Sequence, residues 1–152
     1  MRRAGAWLAL AVPLVLLKGA YIAQYVFGLY PCEMCWWQRY AHFAALALAA
    51  LGLVTRKLAL SWLAVVALGV AALLGGFHAG VEYHWWEGVT ACASTAATGG
   101  DPLEAIMNAP IVRCDTAPWT LLGISLAGFN FLISGIGALV AAFLLRRHEQ
   151  PA

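Results

Sequence analysis

The residues best suited to chemistry stand together in Tyr30-Pro31-Cys32-Glu33-Met34-Cys35-Trp36-Trp37-Gln38-Arg39. Two cysteines separated by two residues can close a small, reducible disulfide, and such pairs often hold one thiol at a depressed pKa. Pro31 cannot continue a helix backwards, so Cys32 belongs in the turn just before one. A helix running from about Cys35 places Arg39 one turn further on, on the same face. A guanidinium there stabilises a Cys35 thiolate, or an anionic acceptor beside it. At about 4 Å and an effective dielectric near 20 that attraction is on the order of 4 kcal/mol before desolvation. The stretch reads as a redox site.

Cys92 and Cys114 form a second pair, with 21 residues between them in the chain. One alternative is two structural disulfides bracing outer loops, but a two-residue loop constrains the unfolded chain very little. The Cys92/Cys114 spacing alone fits either a structural or a redox bond. A zinc ribbon would pair one Cys-x-x-Cys with another, which the second pair does not supply, so no metal is expected. No histidine follows Cys35, which excludes the usual covalent haem motif. Gly123-Ile124-Ser125 lacks the surroundings of a serine hydrolase, leaving Ser125 as a packing residue.

The elements that carry these cysteines follow from composition. The chain has 152 residues, 63% hydrophobic and only 11% charged, where a soluble domain carries roughly 25% charge. The charges cluster and leave four long apolar stretches, so residues 1–152 are expected to form one integral domain in a lipid bilayer. The net charge of +2 comes with no basic block suited to nucleic acid. Four cysteines among so few residues outside the apolar runs point to an oxidising compartment.

The first span is expected at about 5–28. A cleaved signal peptide also begins with basic residues, but its apolar core lasts only about 7–15 residues. Here apolar character resumes after Lys18 and continues to Leu29, favouring a retained span. The second run is uncharged only from Tyr40 to Val54, too short for a hydrocarbon core of about 30 Å at 1.5 Å per residue. Its helix must reach back to about Cys35, giving a span at 35–54. That sets the redox pair at the membrane boundary, with Trp36 and Trp37 as belt residues and Arg39 slightly below the surface. Simple snorkelling is the plain alternative for Arg39.

Arg56 and Lys57 connect to a third span at 58–81, where Gly69, Gly75, Gly76 and Gly80 permit close helix approach and His78 lies within the run. The fourth span is expected at 119–145, leaving outer loops at about 29–35 and 82–118. In the longer loop, Asp101-Pro102-Leu103-Glu104 matches a helix start. Leu103, Ile106 and Met107 then share a face, predicting a short interfacial helix. The expected fold is therefore all-α, a four-helix transmembrane bundle. Arg2, Arg3, Arg56, Lys57, Arg146 and Arg147 all fall on one side of it. The positive-inside rule makes that side cytoplasmic, with both termini, and puts all four cysteines outside.

Taken together, these residues resemble the DsbB family of bacterial quinone-dependent thiol oxidases. The likeness covers nearly the whole chain: four spans, Pro-Cys-x-x-Cys before the second, arginine four residues after the second cysteine, and a cysteine pair in the long outer loop. Arg113-Cys114-Asp115 and then Trp119-Thr120-Leu121-Leu122-Gly123-Ile124-Ser125 resemble the family's approach to its last span. The resemblance implies a bacterial inner-membrane protein with periplasmic cysteines. Its redox partner would be a reduced DsbA-like thioredoxin-fold protein that attacks a Cys92–Cys114 disulfide at Cys92. Cys114 would then attack Cys32, releasing Cys35 as a thiolate, and a quinone (ubiquinone or menaquinone) near Arg39 would take the electrons. His42, three residues after Arg39, could share its face, and His78 and His84 could approach the same end. An enzyme of the vitamin K epoxide reductase kind, with a similar four-helix quinone–thiol core, is the nearest alternative. A Cys-x-x-Cys ahead of the second span favours the first assignment. A non-enzymatic tetraspan scaffold is the other, and Arg39 beside the cysteines argues against it.

Overall fold

In the computed structural model, residues 2–89 and 112–147 are described. Cys92 and the expected helix around residues 101–107 lie outside them. The described chain forms α1 (Arg2–Tyr25), α2 (Glu33–Thr55), α3 (Leu58–Glu82), β1 (Thr120–Leu121), β2 (Ile124–Ser125) and α4 (Leu126–Arg146). Each helix packs on the next in sequence, and α4 closes the ring against α1. Three of them, Arg3–Tyr25, Leu58–Glu82 and Leu126–Arg146, are long and apolar enough to cross a membrane.

The packing explains why so apolar a chain can form a bundle. Its core is built from small side chains, with Ala9, Ala45, Ala49, Ala64, Ala71 and Ala141 all buried. Large aliphatic side chains point outward instead, Leu73 being 71% and Leu139 73% exposed. That is the reverse of a water-soluble bundle and suits a surface solvated by lipid, where close backbone approach rather than hydrophobic burial holds helices together. Gly75 is such a point. A Cβ added there would lie 2.8 Å from Asn130 Nδ2, 2.9 Å from Phe131 N and 3.0 Å from Ala127 O, so only glycine lets α3 and α4 touch. Gly69, from the same expected stripe, faces open space.

Two boundaries differ from the sequence expectation. Helix α2 begins at Glu33 rather than near Cys35, because Cys32 is its N-cap, in extended conformation, with its sulfur accepting the Cys35 N–H at 3.3 Å. Helix α4 begins at Leu126, not at 119. The residues between are apolar but form a tight antiparallel hairpin, Thr120 opposite Ser125 and Leu121 opposite Ile124. Both turn residues, Leu122 and Gly123, have positive φ. Ser125 then caps α4 through Oγ, which accepts the Gly128 N–H at 3.1 Å. Hydropathy alone cannot separate such a hairpin from the helix it precedes. The Tyr83 hydroxyl ties the hairpin to the end of α3, donating to Gly123 O and accepting the Ser125 N–H, each at 2.9 Å.

Candidate redox site and cavity

Capping places Cys32 at the very start of α2, and Cys35 follows one turn later. Their Sγ atoms lie 2.9 Å apart, as a hydrogen-bonded thiol pair rather than a disulfide. Cys32 is buried in a cluster with Met34, Val81 and Cys114, and Cys35 packs against the same cluster. The fold thus brings together three of the four cysteines read from the sequence, although Cys114 is 79 residues from Cys35. The Cys32 thiol is pushed up to about 12, first by its hydrogen bond to Cys35 and next by burial; the hydrogen bond to His78 pulls the other way.

Beside the pair opens a cavity of about 340 Å³. Its wall includes apolar side chains of α1, among them Val15, Leu16 and Leu17, and polar groups of the other helices: Cys35, Arg39, His42, His78, Glu82 and Asn130. Arg39 is only 5% exposed. Its guanidinium donates to Gln24 Oε1 at 2.6 Å and to Ala20 O at 3.2 Å. It also lies over the rings of Tyr21 and Trp36, 4.8 and 4.9 Å from their centroids. All four partners are neutral, and among the described residues no carboxylate pairs with Arg39. A buried cation held only by dipoles and rings keeps its charge for an anion in the cavity.

His42 also lines the cavity, its Nε2 2.7 Å from Asn130 Oδ1. His84 does not: it lies past the end of α3 with φ of 58° and acts electrostatically on Asp115 instead. Arg113, at the cavity's rim, forks onto Asp115 at 2.9 and 2.6 Å, which holds that exposed carboxyl down at about 2.

Sequence reading missed a buried polar chain behind the cysteines. Asn130 Nδ2 donates to Gln38 Oε1 at 2.6 Å and to Ala71 O at 3.2 Å, and its Oδ1 accepts from Ser134 Oγ at 2.8 Å. Gln38 Nε2 reaches His78 Nδ1 at 2.8 Å and Met34 O at 3.2 Å. His78 Nε2 lies 3.5 Å from Cys32 Sγ and 3.8 Å from Glu82 Oε1. A lone amide, Asn130, in an otherwise uncharged apolar run was the available signal, since an unpaired amide at that depth is costly.

A bundle with several helices long and apolar enough to cross a membrane, and a Cys-x-x-Cys with Cys32 buried and Cys35 half-buried beside a largely apolar cavity, defines a multi-pass membrane thiol–disulfide oxidoreductase. Residues 2–144 match the family described as "Disulfide bond formation protein DsbB", and the chain belongs to that family. A "Disulfide bond formation protein B" of Polaromonas sp. (strain JS666) is 32% identical over 162 residues, covering 96% of this chain and 91% of its own. Another, of Paracidovorax citrulli, is 34% identical over 167 residues, covering 99% and 90% respectively. No solved structure matches the chain.

Proposed function

We propose that this protein reoxidises a DsbA-like periplasmic dithiol protein and passes the electrons to a membrane quinone. The observation that carries the reading is the placing of Cys35 and Arg39, which no carboxylate among the described residues offsets, along one largely apolar cavity, with Cys32 and Cys114 in one buried cluster. The cavity fits a quinone on its own chemistry: an aliphatic wall for ring and tail, a buried cation for an electron-rich oxygen, and a sulfur within the same space. Bound there, a quinone supplies a two-electron, two-proton acceptor.

The chain's own residues do the rest. The partner's thiolate attacks the Cys92–Cys114 disulfide at Cys92, and the pair released on Cys114 attacks Cys32. The Cys32–Cys35 bond breaks, and its electron pair stays on Cys35, inside the cavity. The partner's second thiol then displaces Cys92 and leaves the partner as a disulfide, and the freed Cys92 thiolate attacks Cys114, restoring Cys92–Cys114 and leaving both Cys32 and Cys35 reduced. Arg39 orients the acceptor and offsets negative charge growing on its oxygen, and His42 offers a polar contact on the same wall. His84 is outside this assignment.

The domain is residues 1–152 in the bacterial inner membrane, with both termini cytoplasmic and all four cysteines periplasmic. Helix α2 is the fourth span. Its outward Phe43, Leu51 and Val54 suit lipid, and its buried polar face is covered by neighbouring helices. Purified protein mixed with reduced DsbA-like protein and ubiquinone or menaquinone should bleach the quinone absorbance catalytically. No quinone loss with either one sinks the proposal. Membrane-impermeant thiol reagents should label the outer-loop cysteines in intact, reduced cells; labelling only after lysis reverses the orientation.

A further inference from the structure

Cys32, Cys35 and His78 place three potential metal-ligand atoms within 4.8 Å of one another, and the hydrogen bonds around them decide what His78 does there. Ala71 O and Met34 O can only accept. The atom of Asn130 facing Ala71 O is therefore its NH₂, and the atom of Gln38 facing Met34 O is likewise its NH₂. The remaining contact agrees, because Asn130 Nδ2 donates to Gln38 Oε1. Gln38 then donates to His78 Nδ1, which must carry a lone pair. The proton of the neutral ring sits on Nε2, facing Cys32 Sγ and the Glu82 carboxyl. The backbone of Cys114 also hydrogen-bonds this ring.

We propose that the Gln38–Asn130 amide pair locks the proton of His78 on Nε2, making His78 the hydrogen-bond donor to the Cys32 sulfur as it leaves and closing the Cys32–Cys35–His78 trio to metal ions. The role rests on the redox reading of Cys32. When a thiolate, Cys92 in the exchange above, attacks Cys114 in a Cys32–Cys114 mixed disulfide, a new S–S bond forms at Cys114. The Cys32–Cys114 bond breaks and its electron pair stays on Cys32. The Cys35 hydrogen bond and burial push the Cys32 thiol up, which makes it a poor leaving group, and the His78 hydrogen bond at its sulfur pulls it down. The same lock disfavours metal. A histidine bound to metal through Nε2 keeps its proton on Nδ1 and gives it to an acceptor, whereas Gln38 presents a donor there.

The test joins spectroscopy to exchange kinetics. In ¹⁵N-histidine-labelled reduced protein, the signal lost in His78→Phe should show a protonated Nε2 and bare Nδ1. Gln38→Glu replaces the donor with an acceptor and should move the proton onto Nδ1. The reduced Gln38→Glu protein should then bind Cd²⁺, read by thiolate-to-metal absorption, at least about tenfold more tightly than wild type. In quinone-free single turnovers quenched with acid, His78→Phe should free Cys32 about tenfold more slowly, equivalent to about 1.4 kcal/mol. A proton on Nδ1 in the wild type, equal Cd²⁺ affinity in the two proteins, or Cys32 release at the wild-type rate in folded His78→Phe each overturn the proposal. If the His78→Phe variant does not fold, the wild-type tautomer and the Gln38→Glu comparison still decide it. A wild type that exchanges no disulfide at all overturns the redox reading and the leaving-group role, while the tautomer measurement judges the lock separately.

Discussion

Arg39→Met tests the electron-accepting end of the site most directly. The substitution keeps an unbranched apolar stem but removes a charge that no carboxylate among the described residues offsets. It also removes the donor to Gln24 Oε1 at 2.6 Å, while Ala20 O, inside α1, keeps its helical partner. Losing that charge-assisted bond costs about 1.5–3 kcal/mol of stability, partly offset because a cation no longer has to be buried. The catalytic loss is separate. Removing one preorganised donor from a developing oxyanion lowers kcat by about 10²–10³, or about 2.7–4 kcal/mol. Arg39 supplies a full charge with its donors, so Arg39→Met should fall in or above that range and raise the quinone KM as well. Arg39→Lys should recover only part, keeping charge but losing the planar fork that spans Gln24 and Ala20 between two rings. Steady-state quinone reduction gives both constants, and disulfide exchange with the partner in the same preparation reports on folding. If Arg39→Met exchanges with the partner and reduces quinone with wild-type kcat and KM, the arginine only anchors α2 to α1 and the acceptor lies elsewhere.

Other expectations follow from the proposed exchange and from the described geometry. Cys92→Ser should abolish productive attack by the partner, whereas Cys114→Ser should accumulate a mixed disulfide at Cys92; mapping the adduct to Cys32 or Cys35 in both would displace the outer pair from first contact. Cys35→Ala removes the largest cause holding the Cys32 thiol near 12, so its titration should move down. The pH profile of Cys32 alkylation checks this, and an unchanged midpoint refutes it. Gly75→Ala forces a Cβ against the backbone of α4 at 2.9 and 3.0 Å and should cost about 1–3 kcal/mol. In a detergent melt Gly69→Ala, which meets nothing within 4 Å, should be neutral or slightly stabilising.

The Cys-x-x-Cys, the arginine one turn after it and the apolar runs were legible in the sequence because each is a local property. Two residues between cysteines fix a small loop, and four residues on a helix fix a shared face. Clustered charges mark where the runs end. Even the start of α2 was wrong by only two residues, because Pro31 and a capping side chain are near-neighbour effects. The start of α4 was not legible, since residues 119–125 are uncharged like the helix that follows and only the Ser125 cap and the turn separate them. The polar chain behind Cys32 belongs to the tertiary structure. Gln38 and His78 are 40 residues apart, and Gln38 and Asn130 are 92 apart. Periodicity places each on a face of its own helix but says nothing of how that helix is rotated against the next. That rotation was decided by contact: Gly75 lets α4 approach until Asn130 reaches Ala71 and Gln38, and the last bond in the chain sets which nitrogen of His78 faces the sulfur.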